Sequence, residues 1–264
     1  VSALHLECHG DGPPLLLLHG WAMHGGVFAP LVERLAAFFS VLCIDLPGHG
    51  HSRDSALPLD LGALVDALAE VLDPAAASPR PLVAGWSLGG LLALALAARH
   101  PRCVRGLALI AASPRFVAAP DWPQGMEPQV FAAFGEELGR DYRGTLDRFL
   151  MLEAQGSTRL REELRFLRDA VQARGEPAPR ALHEGLALLQ GADLRPLLPT
   201  LAMPSLWLAG RRDRLVAPAA MQAAAALAPR ARFTVFEHAG HAPFLTDPTA
   251  VAGELVAFAA ACPP

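Results

Sequence analysis

Residues 81–99 read PLVAGWSLGGLLALALAAR, and the order of residue types in this stretch decides the fold. Pro81 to Ala84 is an apolar run of strand length, Gly85-Trp86-Ser87-Leu88-Gly89 fits G-x-S-x-G, and Gly89 to Arg99 reads as a helix stopped by Pro101. Strand, serine, helix is the context this motif needs. Small residues two before and two after the serine let the chain turn sharply and lift the Ser87 hydroxyl above the C-terminal edge of a sheet. The plainer alternative is a serine that merely caps the helix.

Outward from this stretch the same alternation continues. Leu15 to Leu18 and Val41 to Ile44 are continuous apolar runs suited to strands buried on both faces, and Leu107 to Ala111 is another. Between Leu61 and Leu72 the residues Leu61, Leu64, Val65, Leu68, Val71 and Leu72 recur at helical spacing. Strands alternating with helices predict a parallel sheet with helices on its faces. Near Ser113 the pattern changes to a Pro- and Trp-containing stretch followed by charged helical sequence without a convincing strand. Alternation resumes with Ser205 to Ala209, Pro218 to Leu227, Arg232 to Phe236 and Pro248 to Ala261. The expected fold is therefore α/β, with a mostly parallel central sheet flanked by helices. Residues 1–112 and 190–264 form its core and residues 113–189 an inserted helical cap.

Composition narrows the function classes. A chain of 264 residues that is 52% hydrophobic and 18% charged can bury a large core, and with 6% aromatics that core must be aliphatic. Its 22 basic and 26 acidic residues give a net charge of −4, which offers nucleic acid no overall positive field. Cys8, Cys43, Cys103 and Cys262 are far apart and form no CxxC pair, so neither a disulfide framework nor a zinc site is expected. Leu91 to Ala98 is too short an apolar run to span a bilayer, and VSALHLECHG has no basic residue ahead of an apolar run. The expectation is a soluble cytoplasmic protein that binds neither membrane nor nucleic acid.

A serine hydroxyl needs a base to become a nucleophile, and imidazole titrates near neutrality. His241, in His238-Ala239-Gly240-His241-Ala242-Pro243-Phe244 beyond the last strand, is the candidate, with His238 as the alternative. Asp213, in Gly210-Arg211-Arg212-Asp213-Arg214, follows the strand Ser205 to Ala209 and can orient that base, giving the chain order Ser, Asp, His. Its alternative is a solvated aspartate paired with the flanking arginines. Asp45 precedes the serine and reads as structural. An oxyanion needs two donors. The backbone N–H of Leu88 heads the helix, and the backbone N–H of Trp21 follows His19-Gly20 at a strand end. The side chains of Trp21 and Trp86 either flank an acyl pocket or belong to the core. His238 with His241, or His49 with His51, has the spacing of a metal pair but no carboxylate at ligand spacing, so no metal is expected.

With these residues in hand, the chain resembles the α/β-hydrolase superfamily over nearly its whole length. The match lies in the His19-Gly20-Trp21 turn, Asp45-Leu46-Pro47-Gly48-His49-Gly50-His51-Ser52, the serine turn, the acid loop and the histidine loop. A narrower resemblance is to the pimeloyl-acyl-carrier-protein methyl ester carboxylesterases of biotin synthesis. It rests on Gly85-Trp86-Ser87-Leu88-Gly89-Gly90, Ala112-Ser113-Pro114-Arg115-Phe116 with Trp122-Pro123, Arg148-Phe149-Leu150 and His241-Ala242-Pro243-Phe244. The resemblance implies that Ser87 attacks the methyl ester of a pimeloyl chain held on phosphopantetheine, that methanol leaves, and that the thioester to the carrier survives. A monomer without cofactor that also takes small esters is expected. Arg148, Arg161 and Arg165 would face the acidic acyl-carrier protein, and Phe149 would line the acyl channel. Between Arg140 and Arg180 nine arginines face seven acids, an asymmetry that favours an acidic partner. The same arginines would also suit a solvated helix with internal pairs, Phe149 would suit the interior of the cap, and Gly144 departs from the family, which can carry an arginine there. A generalist carboxylesterase or carbon–carbon hydrolase, and a noncatalytic ligand receptor on the same scaffold, are the competing functions. Serine at the turn argues against the fold's aspartate-nucleophile chemistries.

Overall fold

The structure, a computed structural model, describes residues 4–72 and 80–263, so the first three residues of the N-terminal stretch read above lie outside it. Among the described residues one sheet holds β1 (Leu6–His9), β2 (Pro14–Leu18), β3 (Ser40–Ile44), β4 (Leu82–Trp86), β5 (Gly106–Ile110), β6 (Ser205–Gly210) and β7 (Ala231–Phe236). Their order across the sheet is β1-β3-β2-β4-β5-β6-β7. Every neighbouring pair is parallel except β1 with β3. Six of these strands coincide with the apolar runs of the sequence to within two residues. The seventh, β1, has three exposed residues of its four and lies at the sheet edge, so it carries no apolar run to read.

The register brings the strand ends level. Leu18 pairs with Ile44 on one side and Gly85 on the other, Trp86 with Ile110, Ile110 with Leu208, and Gly210 with Phe236. The loops after β2, β3, β4, β6 and β7 therefore emerge along one edge, where open parallel sheets present their sites.

Helices α1 (Ala29–Leu35), α2 (Leu61–Val71), α3 (Leu88–Arg99), α8 (Pro218–Ala225), α9 (Pro243–Thr246) and α10 (Pro248–Ala261) connect or follow the strands. Between β5 and β6 lie α4 (Pro128–Arg140), α5 (Tyr142–Ala154), α6 (Leu160–Ala173) and α7 (Pro179–Gly191). Residues Leu88 to Ala97 of α3 are buried all round, which holds Ser87 on a rigid support, each leucine contributing about 1.5–3 kcal/mol of burial. The two ends of the α4–α7 segment meet where Leu194 N–H donates to the Pro114 carbonyl at 2.8 Å. Its last helix continues to Gly191, two residues beyond the limit expected from sequence, because nothing before Gly191 breaks it. Among the described residues no helix is long and apolar enough to cross a membrane.

Candidate active site

Ser87 sits between β4 and α3 with φ 54° and ψ −118°, a left-handed backbone that a residue bearing a Cβ adopts only under strain. Its N–H donates to the Ile110 carbonyl at 3.0 Å, and its own carbonyl accepts from Gly90 and Leu91. The two glycines of the motif are steric requirements. A Cβ on Gly85 would lie 2.2 Å from the Gly89 carbonyl oxygen, and one on Gly89 would lie 2.1 Å from that of Leu18. The Ser87 side chain makes no capping bond to α3, so the helix-cap alternative has no support.

Asp213 and His241 come together from the loops after β6 and β7. His241 Nδ1 and Asp213 Oδ2 are 2.9 Å apart, and both side chains are fully buried. The other Asp213 oxygen accepts from the N–H groups of Leu215 at 2.8 Å and Val216 at 2.9 Å, so its carboxylate is held by three donors and by none of the flanking arginines. That geometry fixes Nδ1 as the donor and leaves Nε2 the basic nitrogen, buried and without a hydrogen-bond partner among the described residues. The Trp86 indole N–H donates to the His241 carbonyl at 2.8 Å and its ring packs on Phe244, so the residue before Ser87 braces the histidine loop. His238, the alternative base, is exposed, and the Asp213 carboxylate bonds His241 instead.

The His19-Gly20-Trp21 turn lies against the serine, since a Cβ on Gly20 would fall 3.3 Å from that of Ser87. His19 locks this turn. Leu46 N–H donates to His19 Nε2 at 2.9 Å, so its Nδ1–H is the donor to the Gly20 carbonyl at 2.8 Å. Burial pushes His19 down to about 3 and keeps it neutral. Leu88 follows Ser87 at the head of α3, and Trp21 follows the Gly20 that lies against the serine. Asp45 has the structural part expected of it, accepting from Gly25 N–H at 2.7 Å and His51 N–H at 2.8 Å and pairing with Arg174. His49 is buried and His51 exposed, so they do not face one ion. His5, Glu7 and His51 do cluster, but both Glu7 oxygens are held by Arg174.

The helices between β5 and β6 cover this edge. Phe149 meets Trp21 edge to face at 4.5 Å and Phe134 at 6.0 Å, and the Trp21 indole donates to the Leu182 carbonyl of α7 at 2.8 Å. A mainly apolar groove of about 610 Å³ between α4 and α5 has Phe134 and Met151 on its walls and Arg148 at its margin. Arg148 is engaged with Glu137 at 2.8 Å and Asp141 at 3.6 Å, whereas Arg161 and Arg165 are exposed and form no ion pair among the described residues.

The alpha/beta hydrolase fold family matches residues 13–248. A pimeloyl-acyl-carrier-protein methyl ester esterase of Stenotrophomonas maltophilia is 56% identical over 261 residues, covering 99% of this chain and 98% of that protein. This chain belongs to that esterase family, within the alpha/beta hydrolases. A relative of the same name from Xanthomonas oryzae pv. oryzae is 56% identical over 98% of this chain and 100% of its own length. Among solved structures, an esterase from Exiguobacterium antarcticum shares the fold with a TM-score of 0.87 at 24% identity, covering 97% of this chain and 94% of that one.

In this member of the esterase family the sequence-predicted residues divide into those that meet and those that stand apart. Asp213 and His241 bond directly, Trp86 beside Ser87 bonds the His241 carbonyl, Gly20 lies against Ser87, and Phe149 meets Trp21 from α5. Arg148, Arg161 and Arg165 lie on the outer surface. Two residues escaped the sequence reading. Arg174, counted among surface charges, is largely buried and bonded to Glu7 and Asp45. Glu153 is fully buried with neither carboxyl oxygen paired. The signal for Glu153 was its place one helical turn after Phe149, on the face that α5 turns inward.

Proposed function

We propose that this protein is a serine carboxylesterase that hydrolyses the methyl ester of a pimeloyl chain carried on acyl-carrier protein, as a cytoplasmic monomer without cofactor, with residues 113–189 as its cap. The observation that carries the hydrolase reading is the buried Asp213–His241 bond at 2.9 Å beside the strained Ser87. The substrate follows the name printed for relatives 56% identical over nearly the full length. Ser87 Oγ attacks the ester carbonyl carbon while His241 Nε2 takes its proton. The N–H groups of Leu88 and Trp21 hold the oxyanion. Collapse expels methoxide, which leaves as methanol with the proton from His241. Water then attacks the acyl-enzyme by the same base and releases the free carboxyl end, the carrier thioester lying outside the reacting centre.

The aromatic series Phe134, Phe149 and Trp21 supports an apolar route for the acyl chain, and Arg161 with Arg165 supports a landing face for an acidic carrier. Trp86, whose contacts are with the histidine loop and Phe244, serves as a brace. The test is methanol release from the carrier-bound methyl ester against a short free methyl ester, with Ser87→Ala as the blank. Turnover should vanish in the variant, a loss of at least about 10⁴-fold. Retained turnover would overturn Ser87 as nucleophile, and equal rates on both substrates would reduce the protein to a general esterase.

A further inference from the structure

The face of α5 that brings Phe149 against Trp21 brings Glu153 inward one turn later. Glu153 is wholly buried, its two oxygens have no hydrogen-bond partner among the described residues, and the charge that reaches it is that of Asp213. The connection that follows lies across both loops of the site. A Cβ on Gly156 would strike the Arg212 carbonyl oxygen, one on Gly240 would lie 2.6 Å from the Gln155 carbonyl oxygen, and Thr158 N–H donates to the His238 carbonyl at 3.2 Å. The other charged groups of these elements are engaged or turned outward. Glu163 accepts from the Ser157 and Thr246 hydroxyls, Arg159 pairs with Glu162, Arg211 pairs with Glu237, and Arg212, Arg214 and His238 are exposed.

We propose that Glu153 is a positioning residue of the catalytic centre, a buried carboxyl on α5 that acts through Asp213. The inference rests on the esterase reading above. Two neighbouring carboxyls do not both ionise readily, and hydrogen bonding decides which keeps the proton. Asp213 accepts from three N–H groups and Glu153 from none, so the proton belongs to Glu153. Burial first, and the Asp213 charge second, push Glu153 well above the usual carboxylate range. Its ionisation would set an unpaired charge between α5 and the acid loop. Relief comes by parting α5 from that loop, which unsettles the fixed carboxylate that orients His241. Glu153 thereby sets the alkaline limit of the centre.

The test is kcat/KM for methyl butyrate across about pH 5 to 9 in the wild type, E153Q and E153A, each with its thermal midpoint. We expect the wild type to fall at least fivefold at the alkaline end and E153Q to stay flat there, because an amide cannot ionise. E153A should lose about tenfold at neutral pH, and E153Q should recover most of that loss. The native state holds a Glu153 proton that the unfolded chain gives up above its ordinary 4.5. Fewer protons are then bound on unfolding, and stability falls as pH rises. The midpoint of E153Q should therefore gain on the wild type steadily with pH. Superimposable activity profiles, or a midpoint gap that does not move with pH, would overturn the proposal. A wild type that hydrolyses no ester and takes no fluorophosphonate on Ser87 would overturn the esterase reading itself, and the role through Asp213 with it.

Discussion

At the residue scale, His19 and His49 hold the loops of the site in place as neutral rings, stacked edge to face with centroids 5.2 Å apart. Burial pushes His49 down to about 4 and His19 to about 3, from an ordinary 6.5. Between those values and 6.5 the unfolded chain binds protons that the native state refuses. Stability is therefore complete above 6.5 and drains away as pH falls, at about 1.4 kcal/mol per pH unit for each group. Replacing His49 by Gln removes one of the two. Urea midpoints taken at pH 7, 6 and 5 should fall less steeply in H49Q than in the wild type, and parallel slopes would show that His49 takes up its proton as readily in the native state as in the unfolded chain. The same scale explains what the sequence could and could not disclose about the site. Ser87, Asp213 and His241 could be singled out because each follows a strand and the proposed chemistry demands its residue type. Glu153 was overlooked, because a glutamate on a helix reads as a surface charge and its one signal, the place a turn after Phe149, tells only once packing shows that Phe149 faces inward.

At the scale of elements, strands buried on both faces announced themselves as unbroken apolar runs, while β1 at the edge and the seven-residue α1 did not. Edge position and shortness each erase the periodicity on which such a reading depends. Charge was legible in number but not in placement. Arg174 turns inward, Glu153 and Glu163 are buried, and the outer face of the cap is consequently more positive than a count along the chain suggests. On α6, Arg161 and Arg165 are one turn apart, exposed and unpaired among the described residues, whereas Arg148 already answers to two acids of the cap. Charge reversal of both to Glu should raise KM for carrier-bound ester at least tenfold more than KM for methyl butyrate. The difference should shrink as salt is raised, as expected of steering between exposed charges. R148E should do less, and equal losses on both substrates would mean that α6 shapes the pocket instead.

At the scale of the whole molecule, Arg174 ties the end of α6 to Glu7 on β1 at 2.7 Å and to Asp45 after β3 at 3.1 Å, joining the cap to the far edge of the sheet. Asp45 is fully buried, so removal of the guanidinium leaves a charge with no escape to solvent. R174A should lower the unfolding free energy by about 3 kcal/mol, the lower end for a broken buried pair because Glu7 is partly exposed. Denaturant curves at low and high salt would check this, and a loss below about 1 kcal/mol in both would show the tie to be dispensable.

Besides the Arg174 tie, two attachments of the proposed cap are unequal. One is the seam where Leu194 meets Pro114, and the other is the α5–α6 connection resting on Arg212, His238 and Gly240. For anyone exchanging caps between relatives to move substrate preference, the first is a natural splice point, since what crosses it is the Leu194–Pro114 backbone bond and side-chain pairs such as Arg115 with Asp193 and Arg195 with Asp121. The second behaves as part of the recipient's own machinery. A graft must carry residues 155–158 matched to the host's loops after β6 and β7, or it will import a new cap at the expense of the alignment it was meant to serve.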